Sequence, residues 1–248
     1  SDLAAYHRIH AGVNDYLTDT LPRPSEMKPD AYARNIAARA FDVARYTLFF
    51  GIPTGVGQVT SIRTLEKQVR RLKASEYEEI RNLGSEIASA CAAPPQAGLG
   101  EFAGVPLAPT LAKYVDPDEH LRQSRADLGA WASQNLPPAS GMRIDDVDLI
   151  RPTDPAAETV ATLLYPNCDR PFRELYAFAL DASSALRNEV IDTALRSRTR
   201  RDELLREFRG GQYVFDIVMD IGAYRDLHRH RRCQQFRQAY SGKLGYET

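Results

Sequence analysis

The chain has 248 residues, 43% of them hydrophobic and 26% charged, a balance ordinary for a globular protein whose core needs no covalent staples. Its formal charge is −1, and no stretch approaches the roughly 18 apolar residues of a membrane span. These features exclude a membrane-embedded class and a uniformly basic nucleic-acid binder. The cysteines, Cys91, Cys168 and Cys233, are far apart and form no CxxC pair. That argues against a disulfide scaffold or a zinc ribbon and for a reduced, cytoplasmic setting. The first residues, SDLAAYHRIHAG, lack an apolar signal region, so no secretory leader is expected.

Residues 1–20 place Leu3, Tyr6, Ile9, Val13, Tyr16 and Leu17 near helical spacing, and LPRPSEMKPD then breaks the pattern with three prolines. A second helix is expected from Pro29–Asp30, with Ile36, Ala40, Phe41, Val43, Ala44 and Leu48 covering a wide, well-buried face. GIPTGVGQ reads as a turn. Its glycine spacing is not GxGxxG and no strand precedes it, which rejects a dinucleotide-binding reading. Ile62, Leu65, Val69 and Leu72 mark a third helix. Ser75 and Glu78 have capping-box spacing, so a break near Ala74–Ser75 and a fourth helix on Tyr77, Ile80, Leu83 and Ile87 are expected.

APPQAGLGEFAGVPLAP reads as a connector. The expected organisation is a helical segment over 1–98, a connector with a short helix over 99–140, and an α+β module over 141–248. The connector's helix, Pro117–Gln134, holds the only tryptophan, Trp131. Val147 and Leu149 alternate with Asp146 and Asp148, which predicts a strand ended by Pro152. Thr153-Asp154-Pro155 is a helix start. Helices follow near Ala156–Tyr165, Phe172–Leu180 and Ser184–Arg196. Thr199-x-x-Asp202 predicts another, closed by Gly210–Gly211, and QYVFDIVM a second strand. The fold class is α+β, mostly helical with a small late sheet.

Charge is unevenly placed. Residues 196–248 hold twelve Lys/Arg against seven Asp/Glu, an excess of five positive charges, so the remainder carries an excess of six negative ones. Within RDLHRHRRCQQFRQAYS, a helix running from Asp220 into the RHR region sets Arg225, Arg229 and Arg232 at i, i+4 and i+7 on one face. Guanidinium groups fit phosphate through paired charge-assisted hydrogen bonds, so an anionic ligand is expected; the plainer reading is a solvated surface. His228 and His230 are two apart and do not face each other on a helix, and no Cys, Asp or Glu supports them, so no metal is expected. Tyr224, Phe236 and Tyr240 interleave with the cations as in single-strand RNA modules. No RNA- or DNA-binding signature accompanies them, and pI 6.5 is low for that class, so nucleic acid is a minor option.

Arg229-His230-Arg231, after YVFDIV and GAYRDLH, resembles the RHR signature of the flavin-dependent thymidylate synthases, RHRxxSxxxxSxRY. The segment, with the following CQQFRQ, looks like the C-terminal half of a longer, duplicated branch of that family. TSIRTLEKQVRRL, residues 60–72, is similar to the family helix NxRELLHFLxLR. The resemblance implies a homo-oligomer that binds FAD between subunits. It implies reductive C5-methylation of dUMP, with methylenetetrahydrofolate as carbon donor and NADPH reducing the flavin. It assigns Arg229, His230, Arg231 and Arg63 to FAD, and Arg225, Arg232 and Arg71 to substrate phosphate; no catalytic residue is assigned. The sequence departs from the pattern at Gln234 and Ala239 for the serines, Ser241 and Gly242 for the Arg-Tyr pair, Ser61 for the asparagine, and Leu72 for the closing arginine. Those departures leave two alternatives, an enzyme completed by a missing N-terminal half or a non-catalytic flavin-binding or structural subunit.

Overall fold

A computed structural model describes residues 2–48, 55–94, 104–106, 108, 114–139, 147–211, 213–230 and 232–244. The chain forms two compact units, one of residues 1–58 with 220–232, the other of 59–219 with 233–248. The elements are mostly helical with one small antiparallel sheet among the described residues, an α+β class. No described helix is long and apolar enough to cross a membrane.

The first unit pairs helix α1 (Asp2–Thr20) with helix α2 (Pro29–Ala44). Pro29 stands in the first turn of α2, where its missing N–H costs no hydrogen bond, and Asp30 faces the positive end of the helix dipole. The buried stripe of α2 is narrower than the sequence pattern implied. Ile36, Ala40 and Ala44, four apart, are buried, whereas Phe41 and Val43 are about half exposed. Small alanines let α1 approach closely, and Phe41 is left at the rim with an edge-on contact to Tyr6 at 6.5 Å. A 3-10 turn, Arg45–Thr47, follows α2. Half of the GIPTGVGQ turn, residues 51–54, lies outside the described residues.

The second unit starts with helix α3 (Ile62–Lys73) and helix α4 (Glu78–Ala92). A Cβ at Gly84 would stand 2.9 Å from Leu72 Cβ, so this glycine lets the two helices close on each other. The break between them falls where expected, but the capping box does not form. Ser75 Oγ accepts from Tyr77 N–H at 3.2 Å, and Tyr77 is the N-cap residue. Arg81 instead crosses back to the carbonyls of Ser75 and Glu76, at 2.9 and 2.7 Å. Most of the connector lies outside the described residues.

Helix α5 (Glu119–Asn135), helix α6 (Pro155–Leu164), helix α7 (Phe172–Asp181) and helix α8 (Ser184–Leu195) surround the main core. Helix α6 is its axis, with Ala157, Val160, Ala161, Leu163 and Leu164 all fully buried. Asp154 caps it, accepting from the N–H groups of Ala156 and Ala157 at 2.9 and 3.1 Å. The helix expected after Thr199 is absent. Asp202 instead accepts from Thr199 N–H and Oγ1 at 2.8 and 2.6 Å, closing a turn on itself, and only a 3-10 turn, Arg206–Phe208, follows.

Strands β1 (Val147–Ile150) and β2 (Val214–Ile217) pair antiparallel, with Asp148 opposite Asp216 and Ile150 opposite Val214. The strands lie where the sequence set them, and the covered face carries Ile150 and Asp216. Val147, Leu149 and Phe215 are more than half exposed, while Asp216 is 4% exposed. Asp216 is tolerated inside because it is fully engaged. It accepts from Tyr165 at 2.6 Å and from Phe172 N–H, at the start of α7, at 2.7 Å. Asp148 is held by Arg173 through two hydrogen bonds, at 2.7 and 2.6 Å.

Candidate functional site

Of the basic segment that the sequence singles out, residues 225–232 belong to the first unit and residues 233–241 to the second. Helix α9 (Ile221–Leu227) precedes it and is only seven residues long. The expected helix does not run into the RHR region. His228 closes α9, and Arg229 N–H and His230 N–H reach only three residues back, to Asp226 and Leu227 carbonyls. The shared helical face of Arg225, Arg229 and Arg232 is therefore not formed. Accumulating cations with no acid between Asp226 and Glu247 disfavour a further helical turn, since like charges three or four apart repel. Arg225 lies on α9, Arg229 and His230 on the turn after it, and Arg232 just beyond; all four are exposed. Arg231 lies outside the described residues. Arg225, Arg229 and Arg232 make no ion pair with a described residue.

The start of α9 is held firmly. Asp220 Oδ1 accepts from Gly222 N–H at 2.6 Å and Ala223 N–H at 3.1 Å. The Tyr46 hydroxyl, on the 3-10 turn after α2, donates to the same oxygen. This hydrogen bond, with the two amides, holds the Asp220 carboxyl below its usual range. It also raises the Tyr46 phenol above its own, because the bond is to the neutral hydroxyl. The tyrosine ring covers Gly222, which is buried. The Tyr224 and His228 rings are 5.5 Å apart on the other side of the turn.

Arg63 and Arg71 belong to the second unit, in the first and last turns of α3, and both are exposed. Between them Lys67 pairs with Glu203, and Arg70 with Asp202 at 3.8 Å. Glu203 is held below the usual carboxylate range by Lys67 first, with Arg71 and Arg209 adding to it. Asp202 is lowered chiefly by the Thr199 hydroxyl. Arg63 makes no ion pair with a described residue. Ser61, where the family helix has asparagine, is the N-cap residue of α3 and accepts from Thr64 N–H at 3.3 Å.

An open cleft of about 470 Å³ in the second unit is lined by Leu136, Asn167, Cys168, Asp169, Arg170 and Ala239, among others. Its polar groups are already occupied. Arg170 pairs with Glu174 and donates to Pro137 O, Asp169 pairs with Lys243, and Gln238 donates to Arg170 O at 2.8 Å. Cys168 donates to Leu164 O at 3.3 Å, and burial pushes its thiol up to about 11, away from nucleophilic use. His120 Nδ1 and Ser124 Oγ are 3.1 Å apart, but they are 3% and 0% exposed, and Ser124 donates to Ala194 O. That pair is closed to substrate and serves packing between α5 and α8. No group of three metal-ligating side chains occurs among the described residues.

Sequence reading set the helix start at Asp220, as found, but missed its link to Tyr46 and the packing role of Gly222. Asp220 stands at helix N-cap position with a glycine two residues on, which was a readable local signal. Tyr46 lies 174 residues away, and nothing local announces it.

No protein-family model matches the chain. No solved structure matches it either. It is 25% identical over 257 aligned residues to a UPF0159 protein of Chlamydia muridarum, covering 97% of this chain and 45% of the relative. A UPF0159 protein of Chlamydia pneumoniae is 25% identical over 251 residues, with the same coverages. One from Thermoplasma acidophilum is 25% identical over 224 residues, covering 88% of this chain and 41% of the relative. The chain thus spans less than half the length of these relatives.

Proposed function

We propose that the chain is a flavin-dependent thymidylate synthase-like protein, with a fold of that kind, whose basic segment holds the phosphates of FAD. The observation that carries this reading is the exposed run of cations Arg225, Arg229 and Arg232, which make no ion pair with a described residue, in and just after a GAYRDLHRHR segment that resembles the family signature. Exposed arginines with no acid partner among the described residues are suited to paired hydrogen bonds with phosphate. By the resemblance, Arg229, His230, Arg231 and Arg63 are assigned to FAD, and Arg225, Arg232 and Arg71 to substrate phosphate. In this reading the flavin supplies hydride chemistry, and the protein supplies charge and orientation. The reaction is reductive C5-methylation of dUMP, with methylenetetrahydrofolate and NADPH as co-substrates, in a cytoplasmic homo-oligomer. The doubled length of the relatives fits a duplicated branch in which a second half completes the site.

The departures at Gln234, Ala239, Ser241 and Gly242 favour a second reading, a flavin-binding or structural subunit that has lost catalysis. One absent arginine bond to a nucleotide costs about 1.5–3 kcal/mol, and several absent contacts together would abolish substrate binding.

A visible absorption spectrum before and after loading with FAD and desalting separates the cases. A retained flavin band, weakened at least tenfold in affinity by Arg229→Ala, supports the flavin site. dTMP formation from dUMP then distinguishes enzyme from subunit. A chain that stays colourless, or an Arg229→Ala variant that binds as well as the wild type, sinks the assignment.

A further inference from the structure

We propose that Tyr46 is the positioning residue of the basic turn: its hydroxyl bonded to Asp220 and its ring seated on Gly222 pin the start of α9 and so set where Arg225, Arg229 and His230 stand. The inference rests on the reading of that turn as an anion site.

A seven-residue helix cannot hold itself in water, because the cost of nucleation is recovered only over longer runs. Its placement must come from contacts outside it. At its N-terminus one carboxylate oxygen gathers three donors, the amides of Gly222 and Ala223 and the phenol of Tyr46. Tyr46 is 54% exposed, so hydrophobic burial does not account for its place; its specific ties are the hydroxyl bond and the contact with the glycine.

Gly222 is explained by the same contact. Among the described glycines only Gly104 has a positive φ, so residue 222 is not glycine for backbone reasons. A Cβ there would overlap the Tyr46 hydroxyl and stand 2.7 Å from its Cζ and 2.9 Å from Asp220 Oδ1. Any larger residue must expel the phenol, break the cap or shift the helix. Arg225 is one turn along α9 and close enough to act electrostatically on the Tyr46 phenol. Arg229 and His230 follow within the next turn of backbone. A shift at Gly222 therefore moves all three.

The test is amide hydrogen exchange of the 219–230 peptides in the full chain without ligand, with FAD affinity as a second readout. Tyr46→Phe keeps the ring and removes the hydroxyl. It should raise exchange across α9 about tenfold, the size set by one charge-assisted hydrogen bond, while α6 is unchanged. Gly222→Ala should do the same. In a Tyr46→Ala background Gly222→Ala should add much less than it does alone, because the closest group it collides with is gone and only Asp220 Oδ1 is still crowded. Additive effects, or unchanged exchange in Tyr46→Phe, overturn the pin. In wild-type protein that binds FAD, Tyr46→Phe should weaken binding several-fold; unchanged affinity with faster exchange makes Tyr46 merely structural and overturns positioning. If wild-type protein binds no FAD, the flavin reading fails, and the exchange arm still decides whether Tyr46 holds the turn.

Discussion

Thiol chemistry separates the residues of this chain sharply. Cys168 is partly covered, bonded to Leu164 O, and its thiol is pushed up to about 11 by burial, an effect that nearby Arg170 only partly offsets. At pH 8 only about one Cys168 in a thousand is thiolate. Cys233 is exposed in the basic tail. Peptide-mapped alkylation at pH 8 should therefore modify Cys233 at least tenfold faster than Cys168. Comparable rates at the two sites would mean that Cys168 is open to solvent and that the wall of the cleft is misassigned.

Among the elements, the small sheet shows where sequence pattern and structure part. Helix starts were legible because they are local chemistry: Pro29 with Asp30, Asp154 with Pro155, and Ser183 before α8 each supply an N-terminal signal within a few residues. Both strands were legible, the first from its alternation and the second as an apolar run after Gly210–Gly211. The face was not. Alternation says that two faces differ, and hydrophobicity normally chooses the inner one. Here the choice is made by Tyr165 and the first amide of α7, which need an acceptor and find Asp216. The length of α9 was misjudged too, since helical spacing in RDLHRHRR was weighed above the like-charge repulsion that the same residues carry. Of the candidate site, the cations were legible and their anchor, Tyr46, was not. The burial of Asp216 beside an exposed Phe215 makes a direct prediction. Asp216→Ala leaves a buried N–H and a buried hydroxyl without their acceptor, at about 1–3 kcal/mol each. Phe215→Ala, on the exposed face, should stay within about 0.5 kcal/mol. Urea midpoints of the two variants check the order, and a larger loss at Phe215 would show that the exposed face is covered in solution.

At the scale of the whole chain, the carboxylates set an acid limit. Asp148 is held below its usual range first by its hydrogen bonds from Arg173, and Asp154 first by the Ala157 amide, then Arg187. Asp202 is lowered first by the Thr199 hydroxyl, and Asp220 first by the Tyr46 hydroxyl. All four therefore titrate lower in the folded chain than in the unfolded one, where aspartate is near pH 4. A depressed folded pKa means that the unfolded state takes up protons first. The stability these groups contribute is fully present above about pH 4 and is lost as pH falls through their folded values. Asp220 belongs to the first unit and the other three to the second, so both units should weaken in acid. Urea midpoints should be nearly flat from pH 7 to about pH 5 and fall below about pH 4. Asp148→Asn removes one titrating group, so it should lower stability at pH 7 and flatten the acid slope. A midpoint that rose on acidification would mean that repulsion among carboxylates, rather than their hydrogen bonding, dominates the folded state. Arg173 and Arg187 would then be solvated cations instead of partners.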